Sequence, residues 1–424
     1  MTPRYFFRAL PLSLLAALVL LPSIPKSVGA QAYAYTKIAG TGPGSSFYQI
    51  GNFTGPSINA SGTVSFTADT IGSNGNGVFT GDGKTLTTIV NTVGGSTYGV
   101  VYKQATSINA AGVVAFQGQG NGYPNDGVYA SDGKSLIKIA PAFDSGTYGP
   151  SINNSATVAF PWTKPGSGVR GTYRSDGGAI TTIAENVPPF GLTAISGSSL
   201  NDSGTVAFAA TEYLNVGGVY TGSGGTLNTI AVGHGFATSE ELASSYQHFA
   251  PPVINAGNDV AFSATLVSGG AGVYLVHDGR TTTIADSAGG FSVFDGSYSV
   301  GGKSGIPPGF LASATALNNI GEVAFGAATK TGDYGIYTGS DPLADKVIGG
   351  NDALDGSTVQ GIGFYQDGLN STGQIAFFAY LADGREEIFR ADPVSEASTI
   401  LSFGLPLALG LGAVTIMSRG KKAT

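Results

Sequence analysis

The chain has 424 residues and a formal net charge of −7 at neutral pH, with 67 Gly, 20 Pro and only 11% charged residues. Thr, Val, Ile, Tyr and Phe recur in short runs between Gly, Asn, Asp and Ser, a pattern typical of strands and turns. This composition excludes an ordinary helical enzyme and predicts an all-β fold. The sequence has no Cys, which excludes disulfides, thiol chemistry and cysteine metal sites.

Residues 1–30 have the three parts of a secretory signal peptide. Arg4 and Arg8 precede an apolar run from Ala9 to Leu21, and Val28-Gly29-Ala30 places small residues where a signal peptidase reads. The apolar run is shorter than the ~20 residues that a membrane span needs. Cleavage near Ala30 is therefore predicted, with a retained N-terminal anchor as the alternative.

One short motif recurs seven times along the body of the chain. It begins as INASGTVSF at Ile58, and in every copy an Asn is followed seven positions later by a Phe. The repeated pairs are Asn59 and Phe66, Asn109 and Phe116, Asn153 and Phe160, Asn201 and Phe208, Asn255 and Phe262, Asn318 and Phe325, and Asn370 and Phe377. This regularity indicates seven copies of one structural unit.

The motif has the chemistry of a β-hairpin. An Asn at the first position of a tight turn can bond its side chain to the backbone just ahead, and a Gly three places later accepts a positive φ. That Gly is replaced by Ala156 in the third copy and by Asn258 in the fifth. The repeated Asn and Phe residues are therefore interpreted as structural, in preference to a sevenfold ring of ligand groups.

Each unit continues with a second aromatic run such as GVFT at Gly77, an Asp-Gly turn such as Asp82-Gly83, and a strand such as TLTTIV. Each unit is therefore predicted to form four strands, and its length fits a propeller blade better than one rung of a β-helix. The seventh copy lacks the last strand, whereas AYTKIAG (34–40) precedes the first copy and matches that strand. The prediction is a seven-bladed β-propeller of four-stranded blades, closed by an N-terminal strand that completes the last blade. An open array with capping repeats is the alternative.

The C-terminal end is also tripartite. A polar lead of residues 393–398 is followed by an apolar stretch from Ile400 to Met417 and a basic tip with Arg419, Lys421 and Lys422. This stretch is long enough to span a bilayer, and the basic tip would stay cytoplasmic. The predicted domains are a signal peptide (1–30), a seven-repeat propeller (31–393) and a sorting signal or transmembrane anchor (394–424).

Two resemblances follow from these motifs. The tandem Asn-x-x-Gly-x-x-Ala-Phe repeats resemble a family of exported bacterial tandem-repeat proteins, and the C-terminal segment is similar to the PEP-CTERM sorting signal, in which Glu396 occupies the central position of the Pro-Glu-Pro motif. The first resemblance implies secretion and surface retention, without catalytic residues that could be transferred. The second implies processing by an exosortase-like membrane enzyme; an ordinary membrane anchor is the alternative.

Charge and motifs restrict the partners further. The body does not include the basic residues of the two ends, so it is more acidic than the whole chain. Such a charge is unsuited to binding nucleic acid. No nucleophile elbow, phosphate loop or dinucleotide fingerprint stands in its required context. No cofactor or metal is therefore predicted. The repeated Asp-Gly pairs are assigned to hairpin turns, because the alternating Asp ladder of a calcium loop is absent.

The connections between blades are expected to lengthen at 231–252, 285–316 and 349–367, and to emerge on one face beside the channel. They carry aromatic residues and a histidine that were expected to be exposed. The candidate binding face comprises Phe236, Tyr246, His248, Phe249, Phe291, Phe294, Tyr298, Phe310 and Tyr365. Aromatic faces suit sugar rings or protein partners, although these residues equally fit a cover over the channel mouth.

Three functional hypotheses remain open at this stage. The first is a non-enzymatic surface module that engages extracellular polysaccharide or a surface protein. The second is a propeller enzyme acting on glycans with carboxylates from the long connections, and the third is a purely structural envelope protein. Carboxylates that converge near the channel would favour the enzyme, whereas a charge-poor face would favour binding.

Overall fold

A computed structural model of the chain describes residues 31–394, apart from 52–54, 73–74, 93–97, 103, 121–125, 142–148, 189–191, 213–216, 234–245, 295–310 and 313. Within these residues the regular elements are β-strands, arranged in seven sheets. No helix in this part of the chain is long and apolar enough to cross a membrane.

The seven sheets share one plan. In each of them four antiparallel strands follow one another from the centre outward, and the repeated Asn begins the turn between the first and second strands. The first strand is usually interrupted and pairs with the second in two short pieces, as β2 and β3 do with β4. Because the four strands alternate in direction, the Asn turns lie at one end of the ring and the connections between blades lie at the other.

The first three blades are built from strands β2 to β15. Blade 1 contains β2 (Phe47–Ile50), β3 (Ser57–Ile58), β4 (Val64–Thr70), β5 (Asn76–Gly81) and β6 (Leu86–Asn91). Blade 2 contains β7 (Tyr98–Val101), β8 (Ser107–Ile108), β9 (Val114–Gly120), β10 (Gly127–Ser131) and β11 (Leu136–Pro141). Blade 3 contains β12 (Ser151–Ile152), β13 (Val158–Thr163), β14 (Arg170–Ser175) and β15 (Thr181–Glu185).

The next three blades repeat this arrangement. Blade 4 contains β16 (Leu192–Leu200), β17 (Val206–Glu212), β18 (Gly217–Gly222) and β19 (Asn228–Val232). Blade 5 contains β20 (Tyr246–Phe249), β21 (Val253–Ile254), β22 (Val260–Leu266), β23 (Ala271–His277) and β24 (Arg280–Asp286). Blade 6 contains β25 (Phe291–Val293), β27 (Thr315–Leu317), β28 (Val323–Thr329), β29 (Tyr334–Tyr337) and β30 (Lys346–Gly349).

Blade 7 joins the two ends of the body. It contains β32 (Ser357–Gly363), β33 (Ile375–Leu381), β34 (Glu386–Pro393) and, as its fourth strand, β1 (Tyr33–Gly40). The short strands β26 (Leu311–Ala312) and β31 (Ala353–Leu354) also pair with β32. The sequence predicts a long connection over residues 349–367, but nine of these 19 residues form β31 and β32. This part of the prediction is wrong for β31 and β32, because the segment supplies the first strand of the blade.

The repeated Phe packs in the same way in every blade. It lies on the second strand directly opposite an aromatic residue of the third strand, as Phe66 lies opposite Phe79. The ring centroids of these pairs are 5.7 to 6.3 Å apart in all seven blades. Cross-strand aromatic pairs stabilise a sheet beyond simple burial. The Phe residues are therefore structural, as the repeat predicts.

The hydrophobic core lies between neighbouring blades. Phe66 and Ile58 of blade 1, for example, belong to one buried cluster with Phe378 and Ile388 of blade 7. Each blade alone would leave a large apolar face in water. A closed ring buries both faces of every sheet, which explains how this chain holds its fold without disulfides.

The ring closes through the N-terminal strand, as predicted. Strand β1 pairs antiparallel with β34 from Tyr33 opposite Pro393 to Gly40 opposite Glu387. Lys37 binds the Glu387 carboxylate, whose side chain is fully buried. Both sheet edges that an open array would leave unpaired are therefore covered in blade 7.

Candidate functional site

The repeated Asn turns line one mouth of the central channel. In each turn the Asn side-chain oxygen accepts the backbone N–H four residues later, at 2.9 to 3.0 Å. The residue three places after the Asn has a positive φ in all seven copies, including Ala156 (59°) and Asn258 (66°). The predicted turn chemistry is confirmed, and its two exceptions adopt the conformation that Gly adopts elsewhere.

The same seven side chains also form a closed ring between blades. Each Asn Nδ2 donates to the backbone carbonyl of the Asn in the next blade, from Asn59 to Asn109 and onward until Asn370 donates to Asn59. The seven donor–acceptor distances lie between 3.0 and 3.2 Å. The side-chain oxygen and nitrogen are both engaged, so these amides are not presented to a ligand.

The ring surrounds an open depression of about 180 Å³. Three consecutive residues from each blade line it, as Ile58, Asn59 and Ala60 do in blade 1. We call the residue that follows each ring Asn the rim residue. The seven rim residues are Ala60, Ala110, Asn154, Asp202, Ala256, Asn319 and Ser371.

The mouth is poor in charge. Asp202 is the one charged residue among those that line it. Both Asp202 oxygens accept hydrogen bonds from Asn154, one from the backbone and one from the side chain, at 2.9 Å each. Within the described residues, no three His, Asp or Glu side chains come together as metal ligands. The mouth therefore offers mainly polar backbone groups and the apolar side chains of Ile, Leu and Ala.

Below the ring, blade 7 sends three consecutive polar side chains across the channel. Gln366 Nε2 donates to the Ser198 carbonyl of blade 4 at 2.9 Å, and the Tyr365 hydroxyl reaches the Gly149 carbonyl of blade 3 at 3.4 Å. Gly55 of blade 1 lets the backbone at Tyr365 come close to it, because a Cβ at Gly55 would lie 2.5 Å from the Tyr365 nitrogen. We call Tyr365, Gln366 and Asp367 the channel plug.

Asp367 is the charged member of the plug. Its Oδ2 atom has no access to solvent and no hydrogen-bond partner. Burial raises the pKa of the carboxyl to about 6, and a hydrogen bond with Ser107 opposes that shift. The inner strands that face the plug (β3, β8, β12, β16, β21 and β27) carry no charged side chain. Desolvation therefore dominates the pKa of Asp367.

Two predicted binding-face residues are buried instead of exposed. Phe291 and Phe294 have 0% and 2% of their surface exposed. Phe291 packs on Tyr337, with ring centroids 4.9 Å apart, and Phe294 packs on Phe325. The expectation of exposure is wrong for both residues. Strand β25 and the residue that follows it place these two rings against the Phe325–Tyr337 pair inside blade 6.

The other described members of the predicted face are spread over two places. Tyr246 and Phe249 are half-buried against Phe262 of blade 5, whereas His248 between them is exposed. Tyr365 belongs to the channel plug. Phe236, Tyr298 and Phe310 lie outside the described residues, as do the predicted signal peptide (1–30) and the segment from 395 onward. The structure therefore does not bring the described members together as one surface.

Neither the ring nor the plug follows from the turn motif. The motif predicts turns within a blade, whereas the Asn Nδ2 groups act between blades. One signal for the plug was available, since blade 7 carries Gln366 and Asp367 where the aligned positions of blade 1 are Gly55 and Pro56. A run of larger polar residues in one repeat indicates a role that its other copies do not share.

Radial four-stranded sheets around a central channel, with the last sheet completed by the N-terminal strand, define a seven-bladed β-propeller. The chain belongs to a family of unknown function, DUF7453, whose model matches residues 140–394. This range covers blades 3 to 6, three of the four strands of blade 7 and more than half of the chain. No curated protein matches the sequence.

Several solved structures are similar at low sequence identity. A puromycin-hydrolyzing peptidase of Mycobacterium tuberculosis has a TM-score of 0.45 and 12% identity, covering 81% of this chain and 52% of the peptidase. YCF48 from Cyanidioschyzon merolae has a TM-score of 0.37 and 14% identity, covering 82% and 99%. A six-bladed lectin of Aleuria aurantia has a TM-score of 0.32 and 10% identity, covering 59% and 78%. The chain spans about half the length of the peptidase, and these similarities concern the fold.

Proposed function

We propose that this protein is an exported β-propeller, retained at the cell envelope, that acts as a non-enzymatic binding module for extracellular polysaccharide. The observation that carries this proposal is the channel mouth, on which all seven blades converge. It is open, poor in charge and lined in each blade by an Ile or Leu, the ring Asn and the rim residue. Such a surface suits a polar ligand that is held by hydrogen bonds.

The carboxylates near the channel support binding over glycan hydrolysis. Glycosidases use two carboxylates that flank the scissile bond, one of which acts as a general acid. Asp202 at the mouth has both oxygens engaged by Asn154, and Asp367 lies in the plug with its Oδ2 shielded from solvent. Asp202 is the one charged residue of the mouth lining, so that lining offers no second carboxylate to pair with it, and the proposal of a glycan-active enzyme has weaker support.

Export and retention belong to the same proposal and are supported by the two end segments. The run from Ala9 to Leu21 favours secretion, and the stretch from Ile400 to Met417 favours retention in a membrane. The resemblance to a PEP-CTERM signal further favours an exosortase-like enzyme as the processing partner. A surface protein is the alternative ligand, which the binding experiment distinguishes from a polysaccharide.

Binding is tested with the purified full-length chain in mild detergent and a panel of polysaccharides from bacterial matrix. The variant Ala110→Trp fills the mouth, whereas Ala288→Trp adds the same bulk to an exposed position on the opposite face of the ring. We expect Ala110→Trp to weaken polysaccharide binding at least tenfold and Ala288→Trp to leave it unchanged. Absence of polysaccharide binding by the natural chain, or an equal loss in both variants, would contradict the proposal.

A further inference from the structure

The rim residues form a second ring, which is incomplete. The Ala110 N–H donates to Asn154 Oδ1 at 2.9 Å, the Asn154 N–H donates to Asp202 Oδ1 at 2.9 Å, and the Ala256 N–H donates to Asn319 Oδ1 at 3.0 Å. In each case a side-chain oxygen of one rim residue accepts a hydrogen bond from the backbone N–H of the rim residue in the preceding blade. The acceptor is an oxygen of a carboxamide or a carboxylate.

Four rim amides lack such an acceptor. The amides of Ala60, Asp202, Asn319 and Ser371 have no hydrogen-bond partner among the described residues. The reason is local, because the following blade presents Ala110, Ala256, Ser371 and Ala60 in place of an Asn or Asp. An alanine methyl group cannot accept a hydrogen bond, and the short Ser371 side chain forms none with the described residues.

Three of the four unpartnered amides lie side by side. Asn319, Ser371 and Ala60 belong to blades 6, 7 and 1, which are neighbours because the ring closes through blade 7. The fourth belongs to Asp202 of blade 4, on the other side of the mouth. We call the amides of Asn319, Ser371 and Ala60 the open arc. Asp202, the charged residue of the lining, is therefore distant from the open arc in the ring.

From this arrangement we infer that the open arc binds the carboxylate of an acidic sugar. This inference rests on the proposed function and names the ligand chemistry. The three occupied positions show which atoms fit, since they hold carboxylate or carboxamide oxygens at 2.9 to 3.0 Å. Backbone N–H groups without a protein partner favour anions, and charge-assisted hydrogen bonds are stronger than neutral ones. The Ser371 hydroxyl adds a further donor beside the arc.

The charged side chains behind the arc are not part of the mouth lining. Arg390 Nη1 donates to the Gly62 carbonyl at 2.8 Å, in the same turn as Ala60. Glu322 accepts a hydrogen bond from Asn318 at 2.7 Å, in the same turn as Asn319. Arg390 is also paired with Asp392 at 2.7 Å, and Asp392 accepts a hydrogen bond from Gln374 in the turn of Ser371. One positive and two negative groups therefore lie behind the arc, and the preference for an anion rests on the amides. The methyl groups of Ala60 and Ala110 provide an apolar surface for the C–H face of a sugar ring.

The test uses galacturonate and galactose as probes, because these two sugars differ by a carboxylate on the same ring. Binding is measured by titration calorimetry on the full-length chain in mild detergent. We expect galacturonate to bind at least tenfold more tightly than galactose. The double variant Ala60→Asn with Ala110→Asn supplies the missing acceptors for Ser371 and Ala60, and should reduce galacturonate affinity at least tenfold.

A matched control is available in the same ring. Ala256→Asn caps the amide of Asp202, outside the open arc, and should reduce galacturonate affinity far less than the double variant does. All three substitutions introduce the side chain that Asn154 and Asn319 already carry at equivalent positions, so we expect thermal midpoints equal to or above that of the natural chain. Ser371→Asn, which caps Asn319, serves as a second variant if the double variant does not fold.

The inference is overturned if galactose binds as tightly as galacturonate, if the capped variants keep full affinity, or if Ala256→Asn reduces affinity as much as the double variant. Its failure is distinguishable from failure of the proposed function. A chain that binds matrix polysaccharide but does not bind galacturonate at the arc retains the function without this site. A chain that loses galacturonate on capping but binds no polysaccharide retains the site without the function.

Discussion

The ring asparagine combines two roles in one side chain. Its oxygen organises the turn within a blade, and its nitrogen joins that blade to the next. Asparagine is suited to this position because a carboxamide offers an acceptor and a donor on the same planar group. Aspartate would keep the first role and lose the second.

We therefore predict that Asn109→Asp destabilises the propeller although the turn retains its acceptor. The substitution places a carboxylate oxygen where Nδ2 now donates to the Asn153 carbonyl at 3.1 Å. Loss of this buried hydrogen bond and repulsion between the two oxygens should lower the free energy of unfolding by about 2 kcal/mol or more. Chemical denaturation measures the change. The rim variant Asn319→Asp, which keeps its acceptor oxygen, is the control. A smaller loss of unfolding free energy in Asn109→Asp than in Asn319→Asp would contradict the inter-blade role of the ring Asn.

Asp367 predicts a pH dependence of stability with a defined sign. Its folded-state pKa of about 6 is above the ordinary aspartate value, so the fold favours the protonated form. The group stabilises the fold fully below the unfolded-state pKa, and this contribution is lost as pH rises through about 6. The loss amounts to at most about 3 kcal/mol.

Asp367→Asn should remove this dependence. Unfolding free energies are measured for both proteins from pH 4 to pH 7.5, and the difference between them is taken at each pH, because other carboxyls change both proteins alike. We expect the variant to gain stability relative to the natural chain as pH rises, with the change centred between pH 4 and 6. A difference that is constant over this range would show that Asp367 titrates normally.

At the scale of the element, the closing strand is held by charge as well as by backbone pairing. Glu387 stands where the third strands of the other blades have Gly, such as Gly77 and Gly127, and its side chain is fully buried. Burial raises the pKa of this carboxyl, and the hydrogen bond with Lys37 acts against that shift. Arg385 also contacts Glu387, at 2.6 Å. Blade 7 therefore has an ionic contact between the two ends of the body.

We predict that Lys37→Met weakens ring closure. Removal of the ammonium group leaves the buried Glu387 carboxylate with Arg385 as its remaining charged partner, which should cost about 1 to 2 kcal/mol because Lys37 itself is partly exposed. The double variant with Glu387→Gln should cost less than the sum of the single changes. Thermal unfolding of the four proteins gives this coupling. Additive losses would mean that the pair does not stabilise closure.

The elements of this fold could be predicted from the sequence because their signals are local. The Asn turn, the Phe pair and the Asp-Gly turn each lie within a few residues, and the strand missing after Arg390 directly indicates the closure by residues 34–40. The open rim amides could not be predicted, because each depends on a side chain of the neighbouring blade. Phe291 was misplaced for a related reason, since the first strand of blade 6 is interrupted and shows no period-two pattern.

At the scale of the whole molecule, both ends of the described body leave the propeller together. The Val394 N–H donates to the Ala32 carbonyl at 2.8 Å, and Gln31 Nε2 donates to the Val394 carbonyl at 3.0 Å. This point is on the same side of blade 7 as the Asn turns, because Ala391 at the end of β34 lies opposite Ile375 at the start of β33. Residues 395–399 separate it from the apolar stretch that begins at Ile400.

This geometry predicts how the propeller is oriented if it is retained through Ile400 to Met417. Five residues extend at most about 17 Å, so the Asn-turn face and its mouth should lie toward the membrane until the body is released.

The chain contains no Cys, so single cysteines can be labelled cleanly. In cells expressing the full chain, Ala110→Cys on the Asn-turn face should react more slowly with a bulky impermeant maleimide than Ala288→Cys on the opposite face. Truncation after Pro393 should release the body and equalise the two rates. Equal rates in the full chain would contradict this orientation. An uncleaved full-length protein in the cytoplasm would contradict export itself.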